Sequence, residues 1–190
     1  MRRPSPFARV ARAAARFARS SSGAVSVETV LILPMLIGTL LAMAAMWDGF
    51  RAKNAALKAA TTISDAISRE TAPIDADYIA RMEALYAFLA GARGETTLRV
   101  SVVASTMGDD GEEELELRWS AVSDQSMSPA TDAAELADHV PAIAVGDQII
   151  VVESRTEWTP PVRSQIIAQT FEEVTVARAR FVPQVLWSND

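Results

Sequence analysis

The stretch Gly23–Trp47, "GAVSVETVLILPMLIGTLLAMAAMW", decides how the rest of this chain is read. From Thr29 to Trp47 it holds 19 consecutive residues without a charge. At about 1.5 Å per residue a helix of that length covers roughly 28 Å, close to the ~30 Å hydrocarbon core of a bilayer. Core helices of soluble domains carry a polar stripe, whereas this segment is apolar all round. It predicts a single membrane-spanning helix. Glu28 is the anomaly, because an ionised carboxylate costs about 2.5–3.5 kcal/mol at mid-bilayer and less near the edge. Either it reaches the headgroups or protonates, or a partner offsets its charge.

Charge is divided unevenly around this segment. Residues 1–23 contain six Arg and no acid, whereas residues 48–190 contain 12 Lys plus Arg against 23 Asp plus Glu, a net of −11. Basic residues flanking a first span stay cytoplasmic, which places the acidic bulk outside. An acidic exported portion also argues against nucleic acid as a partner, since such surfaces are basic. With no cysteine in the chain, zinc–thiolate sites, iron–sulfur clusters and cysteine nucleophiles are excluded, and no disulfide can staple the domain.

Working outward, Phe7, Val10, Ala14 and Phe17 recur at helical spacing in the basic leader. Two readings of residues 1–22 stay open: a short amphipathic helix on the inner leaflet or a disordered leader. Beyond Trp47, Ala56, Ala60, Ile63 and Ile67 continue a helical stripe, and nothing breaks it before Pro73. One helix is expected from about Val25 to Ser68, in lipid over its first half and packed by an apolar seam over its second. Asp75 or Asp77 caps a second helix with Ile79, Met82, Leu85, Tyr86 and Leu89 on one face, ending at Gly91 and Gly94.

The period then changes to two. Leu98, Val100, Val102 and Ala104 alternate with Thr97, Arg99, Ser101 and Val103, and Leu115, Leu117, Trp119 and Ala121 alternate with Glu114, Glu116, Arg118 and Ser120. Such alternation predicts two strands with one wet face, joined by a hairpin turn at "GDDGEEE". A loop is expected over Ser123–Asp132, a short helix over Ala133–Val140 and a third strand over Asp147–Trp158. "EEVTVARARFVPQVLW" reads as a fourth strand, with Arg178 and Arg180 sharing a face with Val174 and Val176, which suggests an edge or a partner-facing surface.

Catalytic chemistry is hard to assemble from these residues. His139, the sole histidine, stands beside Asp138, and no second ligand lies at zinc spacing. It reads as satisfied or solvent-exposed. The acids Asp109–Glu114 lack the spacing of a calcium loop and read as a solvated turn. No phosphate-cradling glycine loop, serine elbow or carboxylate pair stands out, so no catalytic residue, cofactor or metal is assigned.

A secretory signal peptide is cut after its hydrophobic region, but here the small residues Ser20 to Ala24 precede the apolar run. The junction "SSSG|AVSVETVLILP" resembles that of type IV pilins and pseudopilins, cut on the cytoplasmic side after a Gly with a Glu fifth in the mature chain. A cut after Gly23 makes Ala24 the first residue and Glu28 the fifth. More narrowly, "GAVSVETVLILPMLIGTLL" resembles the TadE-like family, minor pseudopilins of the tight-adherence (Flp, type IVc) pilus system, with a Gly, a Val-Glu pair and then Pro34 six residues later. The resemblance covers about a tenth of the chain. It departs where the Flp-type signal carries an aromatic residue after the Glu, for here that residue is Thr29.

The resemblance implies processing at Gly23 and Ala24, and assembly through Glu28 and Pro34. Glu28 would pair with the new ammonium at Ala24 of its own or a neighbouring subunit. Gly38, followed by Ala42 and Ala45, adds a small-residue stripe that lets helices approach closely. The expected fold is therefore α+β and pilin-like: a long N-terminal helix, a second helix and a small antiparallel sheet. The expected organisation is a basic cytoplasmic leader over 1–23, a transmembrane helix over 24–47, an extracytoplasmic helical part over 48–94 and a strand-rich ectodomain over 95–190. The function expected is that of a non-catalytic pseudopilin-like component in the bacterial inner membrane. Its partners would be the membrane, other pilin or pseudopilin subunits, the pilus assembly platform and a prepilin peptidase. The alternative is an unprocessed single-pass binding or scaffolding protein of the cell envelope.

Overall fold

The computed structural model describes residues 22–108, 111–161 and 168–188, so expectations for the basic leader, Asp109 and Asp110 lie outside the described residues. The chain forms two compact units, one ending at Ala45 and the other beginning at Met46. The described elements are two α-helices, a short 3-10 helix and one four-stranded sheet, an α+β fold as the periodicity predicts.

Helix α1 spans Ser22–Ser68, 47 residues with Pro34 inside it. Within the first unit, the side chains from Val27 to Ala44 are all exposed. Proline lacks an N–H to give to the carbonyl of Val30, a loss that transmembrane helices tolerate.

The second unit is built on an antiparallel sheet with strand order β2-β1-β3-β4, where β1 is Thr96–Met107, β2 Glu113–Val122, β3 Gln148–Trp158 and β4 Gln169–Ala177. Its first face packs on α1 through Ala56, Ala59, Ala60, Ile63 and Ile67, and on α2, Ala76–Ala90, through Ile79, Tyr86 and Ala90. Val100, Val102, Ile150 and Val152 of the sheet share one core with these helix residues. Asp75 caps α2 by accepting from the Tyr78 N–H at 2.6 Å, and Gly91 closes it in the left-handed conformation at φ 60°. Leu85 and Leu89, expected on the buried face with Tyr86, are exposed instead. The face that meets the sheet runs through Ile79, Tyr86 and Ala90, which leaves them outside it.

The sheet's second face departs from the sequence reading. It is dry, not wet. The 3-10 helix Ala133–His139 and the segments around it cover this face with Ala130, Ala133, Leu136, Val140 and Ile143 over Val103, Ile149 and Val151. Thr97, Ser101 and Ser105 are buried there although they look like solvent-facing positions. Small hydroxyls can be buried when a partner is near: Thr97 meets the Ser126 hydroxyl at 2.6 Å and Ser101 the Ser120 hydroxyl at 2.9 Å.

A bulge explains a second departure. Val102 pairs with Trp119 but Val103 with Leu117, so Arg118 has no opposite residue. Trp119 and Ala121 therefore belong to the core beneath the helices, and Leu115 and Leu117 to the core on the other face.

The fourth strand ends at Ala177, and the arginines expected on its face lie beyond it. The chain turns across the end of α1, where the Arg180 N–H reaches the carbonyl of buried Ser68 at 2.8 Å. A buried helix terminus needs such a donor. The segment then pairs with Ile74 on both sides of Trp187, and the Trp119 indole donates to the carbonyl of Val185 at 2.9 Å.

Candidate functional site

Gly23 and Ala24 lie in the first turn of α1, where the helix's N–H groups lack intrahelical partners and unwinding is cheapest. Glu28 lies one turn further on, exposed, and pairs with no cation among the described residues. Pro34 and Gly38 follow on the same exposed helix, and a Cβ added at Gly38 would meet nothing within 4 Å. No contact within the chain requires glycine there. Thr39, the next polar residue after Thr29, is accommodated by bonding back to the Met35 carbonyl at 2.9 Å.

Eleven large hydrophobic side chains between Val27 and Met43 are exposed. Fully burying such a side chain is worth about 1.5–3 kcal/mol, and with these 44–75% exposed the eleven together represent a driving force comparable to the roughly 5–15 kcal/mol that hold a typical domain together. Such a surface calls for lipid or other helices. By length and composition, α1 is long and apolar enough to cross a membrane.

Within the second unit, Asp48 forms a node that composition and periodicity do not reveal. Its carboxylate accepts from the Trp158 indole N–H at 3.0 Å and from both terminal nitrogens of Arg93 at 3.2 and 3.4 Å. A Cβ at neighbouring Gly49 would lie 3.3 Å from the Trp158 ring. The only signal in the sequence is position, since Asp48 is the first charge after the apolar segment.

A polar cleft of about 540 Å3 opens between Arg99, Ser126, His139, Glu153, Arg155 and Glu172. Arg99 forks onto Glu153 at 2.5 and 2.6 Å, and that bond to Glu153 is the main reason its pKa is raised. Arg155 pairs with Glu172 at 2.7 Å. Nearby, the Thr131 hydroxyl and N–H lower the pKa of Glu135, and the Ser126 hydroxyl and N–H do the same for Asp124. Each shift follows from a bond that fixes a loop or joins strands. His139 is exposed at the cleft, and no cluster of three or more His, Asp or Glu among the described residues could hold a metal ion.

No family model, curated protein or solved structure matches the chain.

Proposed function

We propose that this protein is a pseudopilin-like minor component of a tight-adherence (Flp) pilus assembly machine, of the TadE-like kind. It is made as a precursor, held in the bacterial inner membrane by the first half of α1, and carries its sheet domain on the periplasmic side. The basic leader, with six Arg and no acid, supports a cytoplasmic N-terminus. It acts by packing against other subunits and the assembly platform rather than by turnover.

The observation that carries the reading is the run from Val27 to Ala44. It is exposed throughout and apolar or uncharged except for one carboxylate at Glu28, five residues after Gly23. Cleavage after Gly23 would place an ammonium at Ala24, about one turn from that carboxylate. The mass of the mature protein tests this. Removal of residues 1–23 leaves 167 of the 190 residues, and N-terminal sequencing should begin at Ala24. Retention of Met1 or Arg2 would refute the mechanism.

Thr29, standing where the Flp-type signal has an aromatic residue, favours a second reading: an unprocessed, membrane-anchored binding or scaffolding protein. An intact chain with an undisturbed sheet domain would select it.

A further inference from the structure

Apolar side chains of the sheet domain crowd the surface around the start of its α1 portion. Trp47, Phe50 and Phe88 are 74%, 62% and 81% exposed. Leu89 shares a depression of about 420 Å3 with Trp47, Phe50, Arg51 and Lys58. Phe50 also borders a second depression with Met46, Lys53 and Trp158. The end of α2 is fixed at this level, because Arg93, two residues after its cap, donates to Asp48.

We propose that this surface docks the domain onto the anionic phospholipid leaflet from which it emerges, with Trp47, Phe50 and Phe88 among the headgroups and Arg51 and Lys53 against their phosphates. This rests on the membrane-anchored reading above.

Three features select lipid as the occupant. Asp48 is the first charge after the apolar segment, so Phe50 and Arg51 follow within one helical turn, about 5 Å, of the bilayer edge. Aromatic side chains next to cations are the composition of a membrane–water interface. Charge provides the third. The portion after Trp47 carries a net of −11, and seven of its arginines are held in ion pairs, whereas Arg51, Lys53 and Lys58, like Arg81 on α2, take part in none among the described residues. An anionic surface therefore repels most of the domain and attracts this part of it. Each free cation contributes roughly a fivefold preference near such a surface.

The chain contains no cysteine, so a probe can be placed at single sites. Phe88→Cys, Met35→Cys and Glu114→Cys, each carrying a fluorescent label, would be reconstituted as full chains in phosphatidylethanolamine–phosphatidylglycerol vesicles. Quenching by brominated lipid and by aqueous iodide would then be compared. The expected result is deep lipid quenching at 35, iodide quenching at 114, and at 88 lipid quenching several-fold above that at 114. Replacing phosphatidylglycerol by phosphatidylcholine should weaken the signal at 88 and leave 35 unchanged. A label at 88 that behaves like 114 while 35 stays in lipid would overturn the docking and leave the anchor standing. Water exposure at 35 would overturn both. Shielding of 88 from lipid and iodide alike would mean a protein covers the surface, and quenching at 88 indifferent to lipid charge would remove the role given to Arg51 and Lys53.

Discussion

The carboxylate of Asp48 lies 3.0 Å from the indole nitrogen of Trp158, 110 positions later in the chain, so the last residue of β3 is bonded to the third residue of the second unit. Trp158 is almost fully buried. Replacing Asp48 by Ala leaves its N–H without an acceptor and should cost about 1–3 kcal/mol. Arg93→Ala, which removes an exposed ion pair, should cost less than about 1 kcal/mol. Denaturant unfolding of the full chain in detergent would compare them.

Two glycines separate stability from assembly. A Cβ at Gly94 would lie 2.7 Å from the Glu157 carbonyl oxygen, whereas one at Gly38 would meet nothing. Gly94→Ala should therefore lower stability by about 1–3 kcal/mol through overpacking against backbone. Gly38→Ala should leave stability unchanged and weaken helix association, read by crosslinking in membranes.

The Tyr86 hydroxyl meets the Thr156 hydroxyl at 2.5 Å in the core. Tyr86→Phe should cost about 1–2 kcal/mol, much of it from the hydroxyl left behind. Adding Thr156→Val should recover part of the loss, and thermal unfolding of the two variants would show it.

Burial, together with a hydrogen bond to Glu70, raises the pKa of Tyr78. The folded state therefore keeps this proton after the unfolded chain has released it. Stability should fall as pH rises through the ordinary tyrosine value of about 10. Glu135 and Asp124 have lowered values, so what they contribute is present above the ordinary carboxylate range and is lost as pH falls below it. Tyr78→Phe should flatten the alkaline limb of a stability–pH curve and leave the acid limb alone.

Glu28→Ala tests the assembly reading. Insertion should survive, because the change removes a charge from an apolar helix, while pilus formation should fail. Normal piliation would return Glu28 to a carboxylate that merely reaches the headgroups.

Much of the fold was legible because it depends on local pattern. The helix through Ser68, the Asp75 cap, the Gly91 stop and the strand period each have a signature a few residues long. What escaped depends on neighbours distant in the chain. Thr97 and Ser101 look solvent-facing until residues 126 and 120 supply their partners. Arg178 and Arg180 look like strand residues until the buried end of α1 draws Arg180 out of register. In the candidate site, Gly23, Glu28 and Pro34 were visible as spacing. The Asp48–Trp158 bond and the exposed ring of Phe88 were not, since no periodicity encodes a contact across 110 residues or the absence of a cover.

The bulge at Arg118 has a consequence for how the domain comes apart. Because of it, one strand serves two interiors, with Trp119 in one and Leu117 in the other. Sliding β2 by a single position to relieve one side would expose the other. The two cores are thereby interlocked, and the sheet should yield as one unit, with no half-open state in which either side survives alone.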